Sequence, residues 1–522
     1  MGTSLRALRA LFLLAGFYVL ALVVLGVLTG AAAVAWFRAP LGSALTVTVI
    51  AALLGLPVVR GIGTLGAGGR DGADGLPVTE AEQPELWRAV RSLAERTGTR
   101  APDAVLLTGE VNAAVHEKTR LLGLLPGRRR LYLGVPLLIG LDEPQLRSVI
   151  AHELGHYGNA DTRLAGITLR GRDSVLRTVE GFREPQRERA QKTRSRFGHR
   201  QLLSPSLYRA MGRPFQAYAR FYLRATHSVG RQQELAADRV AAQVAGRDAT
   251  ASALREIAVL EAAHDFYLGR YLALGARAGL LPPRGEVCGG VRRLLDDPEL
   301  RVVLAKLRED PPPGEMSPYD SHPPVAERVR LIEALPDDVP AAAPTRSAPM
   351  PLRDAGRVLV ELEGVVLTPE AQAMERADWP DLTHRAAYAL TETRARPLRA
   401  ALAAAGLAPG GPAAELTALL DAADSGRLWE VAGNLPKSPE AARATGRAAR
   451  EFLRPDLEHG MDHLAELAVV EAAGARWELC WSAAPRLRLP GDRDVAEELE
   501  AAVRAAVADA PDTKPLRALL GR

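Results

Sequence analysis

Two uncharged apolar runs open the chain, at residues 11–36 and 41–59, with the turn Phe37-Arg38-Ala39-Pro40 between them. The first is long enough to cross a bilayer with some tilt, and the second is near the minimum length. Together they predict a helical hairpin anchor over residues 1–60. A signal peptide is the plainer alternative; the length of the first run and the immediate second run weigh against it. Residues 61–76 are then Gly-rich and read as a flexible linker.

From residue 77 the apolar period switches between helix and strand. Residues 80–97 place Leu86, Val90 and Leu93 on one helical face, and 104–107, 112–115 and 130–135 read as strands of a small sheet. Asp142 with Gln145 reads as a capping box, and Pro144 suits a first turn. Leu146, Val149 and Ile150 then give the buried face of a helix expected to end near Gly158 and Asn159. A second helical run opens at Glu234 and continues through Val240, Ala241 and Val244. Between them, residues 172–200 are dense in charge and hold no apolar stretch of spanning length. A solvated loop is the expectation there; for the basic cluster at 183–200, contact with anionic lipid is the alternative. Phe215, Tyr218 and Tyr222 recur at helical spacing and read as packing residues. Residues 336–351 form a Pro/Ala-rich linker, and 352–522 read as mainly helical, with strands at 477–481 and 486–489 and no motif that carries chemistry.

The capped helix carries His152-Glu153-Leu154-Gly155-His156. Residues four apart share a helix face, so both imidazoles can hold one metal ion. Glu153 projects beside it, where it can take a proton from metal-bound water. Gly155 leaves room for metal and substrate. A catalytic zinc usually has three protein ligands and a water, so one ligand is missing. Glu234 is the best-placed third ligand and Asp161 its nearest rival. Asp238, one turn beyond Glu234, and Asp161 are the carboxylates available to orient the imidazoles. His459 and His463 share the four-residue spacing, but no glutamate follows the first; they read as surface histidines.

The order of these motifs resembles a known family. His152-Glu-Leu-Gly-His156 with Asp161, then Glu234-Leu-Ala-Ala-Asp238, then Ser321-His322-Pro323-Pro324 with Glu327-Arg328, is similar to the HtpX-type and CAAX prenyl endopeptidase family of membrane-anchored zinc metallopeptidases. The resemblance covers about 77–335. It implies one Zn2+ per chain, held by His152, His156 and Glu234, with Glu153 as general base and acid. It implies that His322 stabilises the oxyanion, that Arg231 fills a basic position near the site, and that Val111, Asn112 and Ala113 form an edge strand. An extended peptide would pair with that strand. Relatives often carry further membrane helices where this chain has its charged segment.

The expected fold class is therefore α+β and mostly helical. It comprises a transmembrane hairpin (1–60), a zincin-like metalloprotease domain with a small edge-stranded sheet (77–335), and a separate, mainly helical C-terminal domain (352–522). The net charge of +4 is mild and calls for no nucleic-acid partner. Cys288 and Cys480 are far apart, which predicts no disulfide framework and fits a reducing compartment. Lysines are only five among 66 basic residues, an association with GC-rich bacterial genomes. Arg6, Arg9, Arg60 and Arg70 flank the hairpin and only Arg38 lies in its turn, which places both ends in the cytoplasm. The expected setting is thus a bacterial plasma membrane with a cytoplasmic active site. The expected partners are the bilayer and peptide or protein substrates, membrane proteins among them. The rival reading is a non-catalytic membrane scaffold with a structural zinc and a partner-binding C-terminal segment.

Overall fold

The computed structural model describes residues 3–63, 75–120, 125–157, 175, 176, 178, 179, 181, 182, 205–309, 323–336 and 352–521, apart from 408, 409, 439 and 492. The chain is mostly helical with small sheets, as its periodicity predicts. Two compact units divide it, Met1–Glu261 with Leu304–Val366, and Ala262–Val303 with Leu367–Arg522.

In the first unit, α1 (Thr3–Arg38) and α2 (Leu41–Gly63) pack against each other. Two stretches, Phe12–Arg38 and Leu41–Arg60, are long and apolar enough to cross a membrane. Val19, Leu22, Val27 and Val34 stay exposed on α1. Water disfavours such a continuous apolar surface, and lipid does not. Near α2's C-terminal end, a Cβ on Gly55 would lie 3.3 Å from the Leu25 side chain of α1, which packs directly on the glycine.

A four-stranded sheet follows, built from β1 (Leu76–Val78), β2 (Ala104–Thr108), β3 (Ala113–Arg120) and β4 (Leu125–Gly134) in the order β1-β2-β4-β3. Val105, Leu107, Leu131 and Leu133 are fully buried, alternating with less buried residues as the two-residue strand period requires. β3 is an edge strand, antiparallel to β4. Before it, residues 110–112 bend tightly over the end of β4. A Cβ on Gly134 would meet the Glu110 carbonyl at 1.9 Å, and the Gly134 N–H donates to the Asn112 carbonyl at 2.7 Å. Only glycine allows that approach. The helix α3 (Pro84–Arg96) buries Leu86, Trp87, Val90 and Leu93.

After a short α4 (Val135–Gly140) come α5 (Glu143–Gly155), α6 (Pro205–Ala245) and α7 (Arg247–Tyr267). The run expected to open at Glu234 is the last third of a 41-residue helix. Its first half packs on the hairpin, where Phe215, Ala219 and Tyr222 join Leu14, Phe17, Ala21 and Val58 in one buried cluster. That contact extends the helix far upstream of Glu234. The unit closes with α8 (Val325–Glu333) and α9 (Ala355–Val366). Gln83 and Arg353 exchange two hydrogen bonds, at 2.8 and 2.9 Å, just before α9.

The second unit is a helical bundle of its own. Trp379–Ala404, Pro412–Asp424, Gly446–Ala473 and Ala496–Val507 enclose a core of Leu398, Leu419, Leu457, Leu464 and Val503. The expected strands appear as Arg476–Glu478 and Arg486–Leu489 in a three-stranded sheet; Trp481 lies beyond the first, its ring centroid 4.7 Å from that of Tyr271 and tilted against it. Cys288 and Cys480 are free thiols, and both lie in this unit.

Candidate metal and catalytic site

The helix α5 starts as its sequence dictates. The Gln145 N–H donates to the Asp142 side chain at 2.8 Å, and the Asp142 N–H donates back to the Gln145 side chain at 3.0 Å. This reciprocal box satisfies two N–H groups that a helix start leaves orphaned. The helix ends at Gly155 with His156 as its C-cap, earlier than Gly158 and Asn159, which lie outside the described residues. One turn apart, the His152 and His156 rings stand edge to face with centroids 4.9 Å apart.

Glu234 comes from α6, which packs along α5. Its carboxylate lies 3.5 Å from His152 Nε2 and 3.8 Å from His156 Nε2. Gly155 makes this packing possible: a Cβ there would press on Val240 at 3.2 Å and on Ala237 at 3.4 Å. The expected clearance for metal and substrate is instead clearance for the neighbouring helix. Glu153 groups with both imidazoles, their ligand atoms all within 4.8 Å of one another, and it also lines the adjoining cleft. Glu234 is the carboxylate buried against both imidazoles, while Glu153 opens toward the cleft.

Behind the imidazoles stands a charged ladder. Asp238 Oδ1 lies 3.0 Å from His152 Nδ1, at ion-pair distance but without the alignment of a hydrogen bond. Arg328 of α8 grips Asp238 with both arms of its guanidinium, at 2.6 and 2.9 Å, and reaches within 3.8 Å of Glu234. Burial pushes the His152 pKa down, but Asp238, Glu234 and Glu153 outweigh it and lift it to about 9. Burial pushes Asp238 up, and Arg328 and His152 overcome this and hold it below the usual carboxylate range. Burial also opposes the charge on Arg328, and Asp238 more than restores it.

The donor set fits zinc. Two imidazole nitrogens and a carboxylate converge from two helices, a set known from catalytic zinc sites that keep an open position. Asp238, Glu234 and Glu153 crowd around His152, an arrangement of carboxylates that favours positive charge there. A carboxylate behind a ligating imidazole is the usual orienting partner, and Asp238 stands there.

A cleft of about 310 Å³ opens beside the imidazoles. Val111, Asn112 and Ala113 form one wall; only Ala113 lies within β3, the other two in the bend before it. Leu137, Val149, Leu254, Ile257 and Ala258 supply an apolar wall. Tyr157, directly after the motif, donates its hydroxyl to the Val115 carbonyl of β3 at 2.6 Å. Arg231 pairs with Glu327, the neighbour of Arg328. Asp161, His322 and the basic segment 183–200 lie outside the described residues.

Arg328 stands in the sequence motif with Glu327 but carries no expected role at the site. Its signal is present in the sequence, however: on α8 it falls between Val325 and Ile332, on the face that Val329 and Ile332 bury. A charge on the apolar face of a helix requires a buried partner.

Residues 80–335 match the model of Peptidase family M48. A protein named Protease HtpX homolog, from Kineococcus radiotolerans, is 28% identical over 262 residues, covering 50% of this chain and 76% of that protein. No solved structure matches. The resemblance to HtpX-type metallopeptidases is borne out over residues 80–335.

Proposed function

We propose that this chain, with its M48 peptidase segment at residues 80–335, is a membrane-anchored zinc endopeptidase whose active site faces the cytoplasm. One observation carries the proposal: Glu234 lies within 3.8 Å of both His152 and His156, beside a cleft that Glu153 lines. In this reading His152, His156 and Glu234 hold the metal. Zinc, when bound, supplies the Lewis acidity that activates water and polarises the scissile carbonyl. Glu153 takes the proton from the attacking water and delivers it to the leaving amine. Asp238 fixes the His152 ring, and Arg328 fixes Asp238. Arg231 acts at one remove, holding Glu327 beside Arg328. His322 and Asp161 keep their expected roles as oxyanion partner and additional orienting carboxylate.

Substrate lies extended along 111–113. In an antiparallel pair alternate residues face the partner strand. The Asn112 carbonyl already accepts from Gly134, so the backbone groups of Ala113 turn outward. Those groups meet the peptide, and the apolar wall receives a side chain next to the scissile bond. The hairpin confines the enzyme to the bilayer surface, which suits quality control or processing of membrane proteins.

The test replaces Glu153 with Gln in the full chain. Zinc should remain at one per chain while peptide cleavage falls by orders of magnitude. Cleavage at the wild-type rate would refute the mechanism. Zinc without proteolysis in the wild type itself, under any condition, would support the scaffold reading instead.

A further inference from the structure

The first half of α6 carries a feature that hydrolysis does not use. Arg209, Arg213, Arg220 and Arg224 follow one another at spacings of four, seven and four. With 3.6 residues per turn they fall within an arc of about 60°. All four are exposed. The opposite face, Phe215, Ala219 and Tyr222, is fully buried against the hairpin. No acidic residue occurs from 205 to 233.

The depth of this helix follows from its contacts. The Tyr218 hydroxyl donates to the Leu13 carbonyl at 2.6 Å, and Phe17 packs on Phe215 and Tyr218 with centroids 6.1 Å away. On the hairpin, Gly55 sits against Leu25, so Arg60 at the end of the α2 span comes about level with Leu20. Leu13 and Phe17 therefore lie one to two turns beyond the apolar span of α2. Residues 213–224 of α6 pack beside them and beside Val58, at the end of the hairpin's apolar spans and so near the lipid headgroups. Tyr218 and the exposed Phe221 suit that layer, where aromatic rings with one polar or exposed side concentrate.

We infer that the arginine stripe of α6 binds the headgroups of anionic phospholipids. A guanidinium matches a phosphate with paired N–H donors, and the stripe runs along the rim of the anchor where phosphates concentrate. The site is separate from the metal cleft, though the same helix carries Glu234. The orientation of the hairpin belongs to the proposed function; the lipid preference does not depend on which leaflet is cytoplasmic.

The test uses the full chain in phosphatidylcholine vesicles with a minor share of phosphatidylglycerol. Electron-spin resonance compares the motional restriction of spin-labelled phosphatidylglycerol and phosphatidylcholine at the protein. The wild type should favour phosphatidylglycerol by about five-fold, the factor that one arginine near an anionic surface contributes. The preference should shrink as salt shortens the Debye length from about 30 to about 8 Å. The variant R209Q/R213Q/R220Q/R224Q should lose it, and the matching four-lysine variant should keep it. A glutamine variant with undiminished preference overturns the inference, and so does a wild-type preference insensitive to salt. The salt series needs no variant, so it decides even if the glutamine protein misfolds. Labelling of R213C with an impermeant thiol reagent in cells, in a chain with Cys288 and Cys480 replaced by serine, reads the orientation separately.

Discussion

Arg328 offers the sharpest test of how the site is held. Its side chain is 8% exposed and that of Asp238 is 3%, and the two share hydrogen bonds of 2.6 and 2.9 Å. Replacing Arg328 with Gln leaves Asp238 and Glu234 as neighbouring buried carboxylates with one cation fewer. Breaking a buried ion pair from one side costs about 3–5 kcal/mol, mostly because the abandoned charge stays buried. For a unit of this size, each kcal/mol moves a melting temperature by about 2–4 °C, so a fall of about 10 °C is expected. Loss of an orienting carboxylate's anchor should also weaken zinc binding by about 10–100-fold. Calorimetric unfolding and chelator competition read the two effects. Arg328→Lys keeps the charge but not the planar fork, and should fall between wild type and Gln. Asp238→Asn combined with Arg328→Gln should cost clearly less than the sum of the single changes. The reasoning is refuted if Arg328→Gln unfolds within about 1 kcal/mol of wild type with unchanged zinc affinity, or if the two changes add.

Three further outcomes are expected. Asp142→Ala removes the α5 cap and should cost about 1 kcal/mol; an unchanged melting temperature would show that the box contributes nothing. Tyr157→Phe frees the outward carbonyl of Val115, so the KM of peptides long enough to reach it should fall about five-fold, the worth of one hydrogen bond. Identical length dependence in both proteins would remove Tyr157 as a stop to strand pairing. In the second unit, burial and then Glu466 push the Asp462 pKa up to about 6, and one of its oxygens is buried without a hydrogen bond. A carboxyl raised in the fold stabilises below its unfolded pKa and loses that contribution as pH rises through about 6. Asp462→Asn should therefore stabilise at pH 7.5 by about 1–2 kcal/mol, allowing for partial exposure, with the gain gone near pH 4. A gain of equal size at both pH values would contradict this.

The features legible in the sequence are the local ones. The capping box of Asp142 and Gln145, the four-residue spacing of His152 and His156 and the apolar length of the hairpin each depend on a few neighbouring residues. The start of α6 was not legible, because the hairpin lends it a buried face through Phe17 and Val58, far away in sequence. Gly155 was misjudged for a similar reason: its role is set by Val240, on another helix. The three-residue strand Leu76–Val78, with Pro77 at its centre, is too short to show a period and exists only by pairing with β2. Arg328 lay between these cases: its place on an apolar face was visible, its partner was not.

The helix α6 also sets a length. Tyr218 touches the membrane hairpin and Glu234 stands at the imidazoles, sixteen residues later on the same uninterrupted helix. At 1.5 Å per residue this strut holds the cleft about 24 Å along the helix from the anchor contact. An extended polypeptide covers that distance in about seven residues. In the proposed reading this helix is thus a ruler as well as a support. In the same reading, a tail anchored beside the hairpin at Tyr218 would need about seven extended residues to reach the imidazoles along this helix. A series of membrane-tethered substrates with graded tails reads that threshold directly.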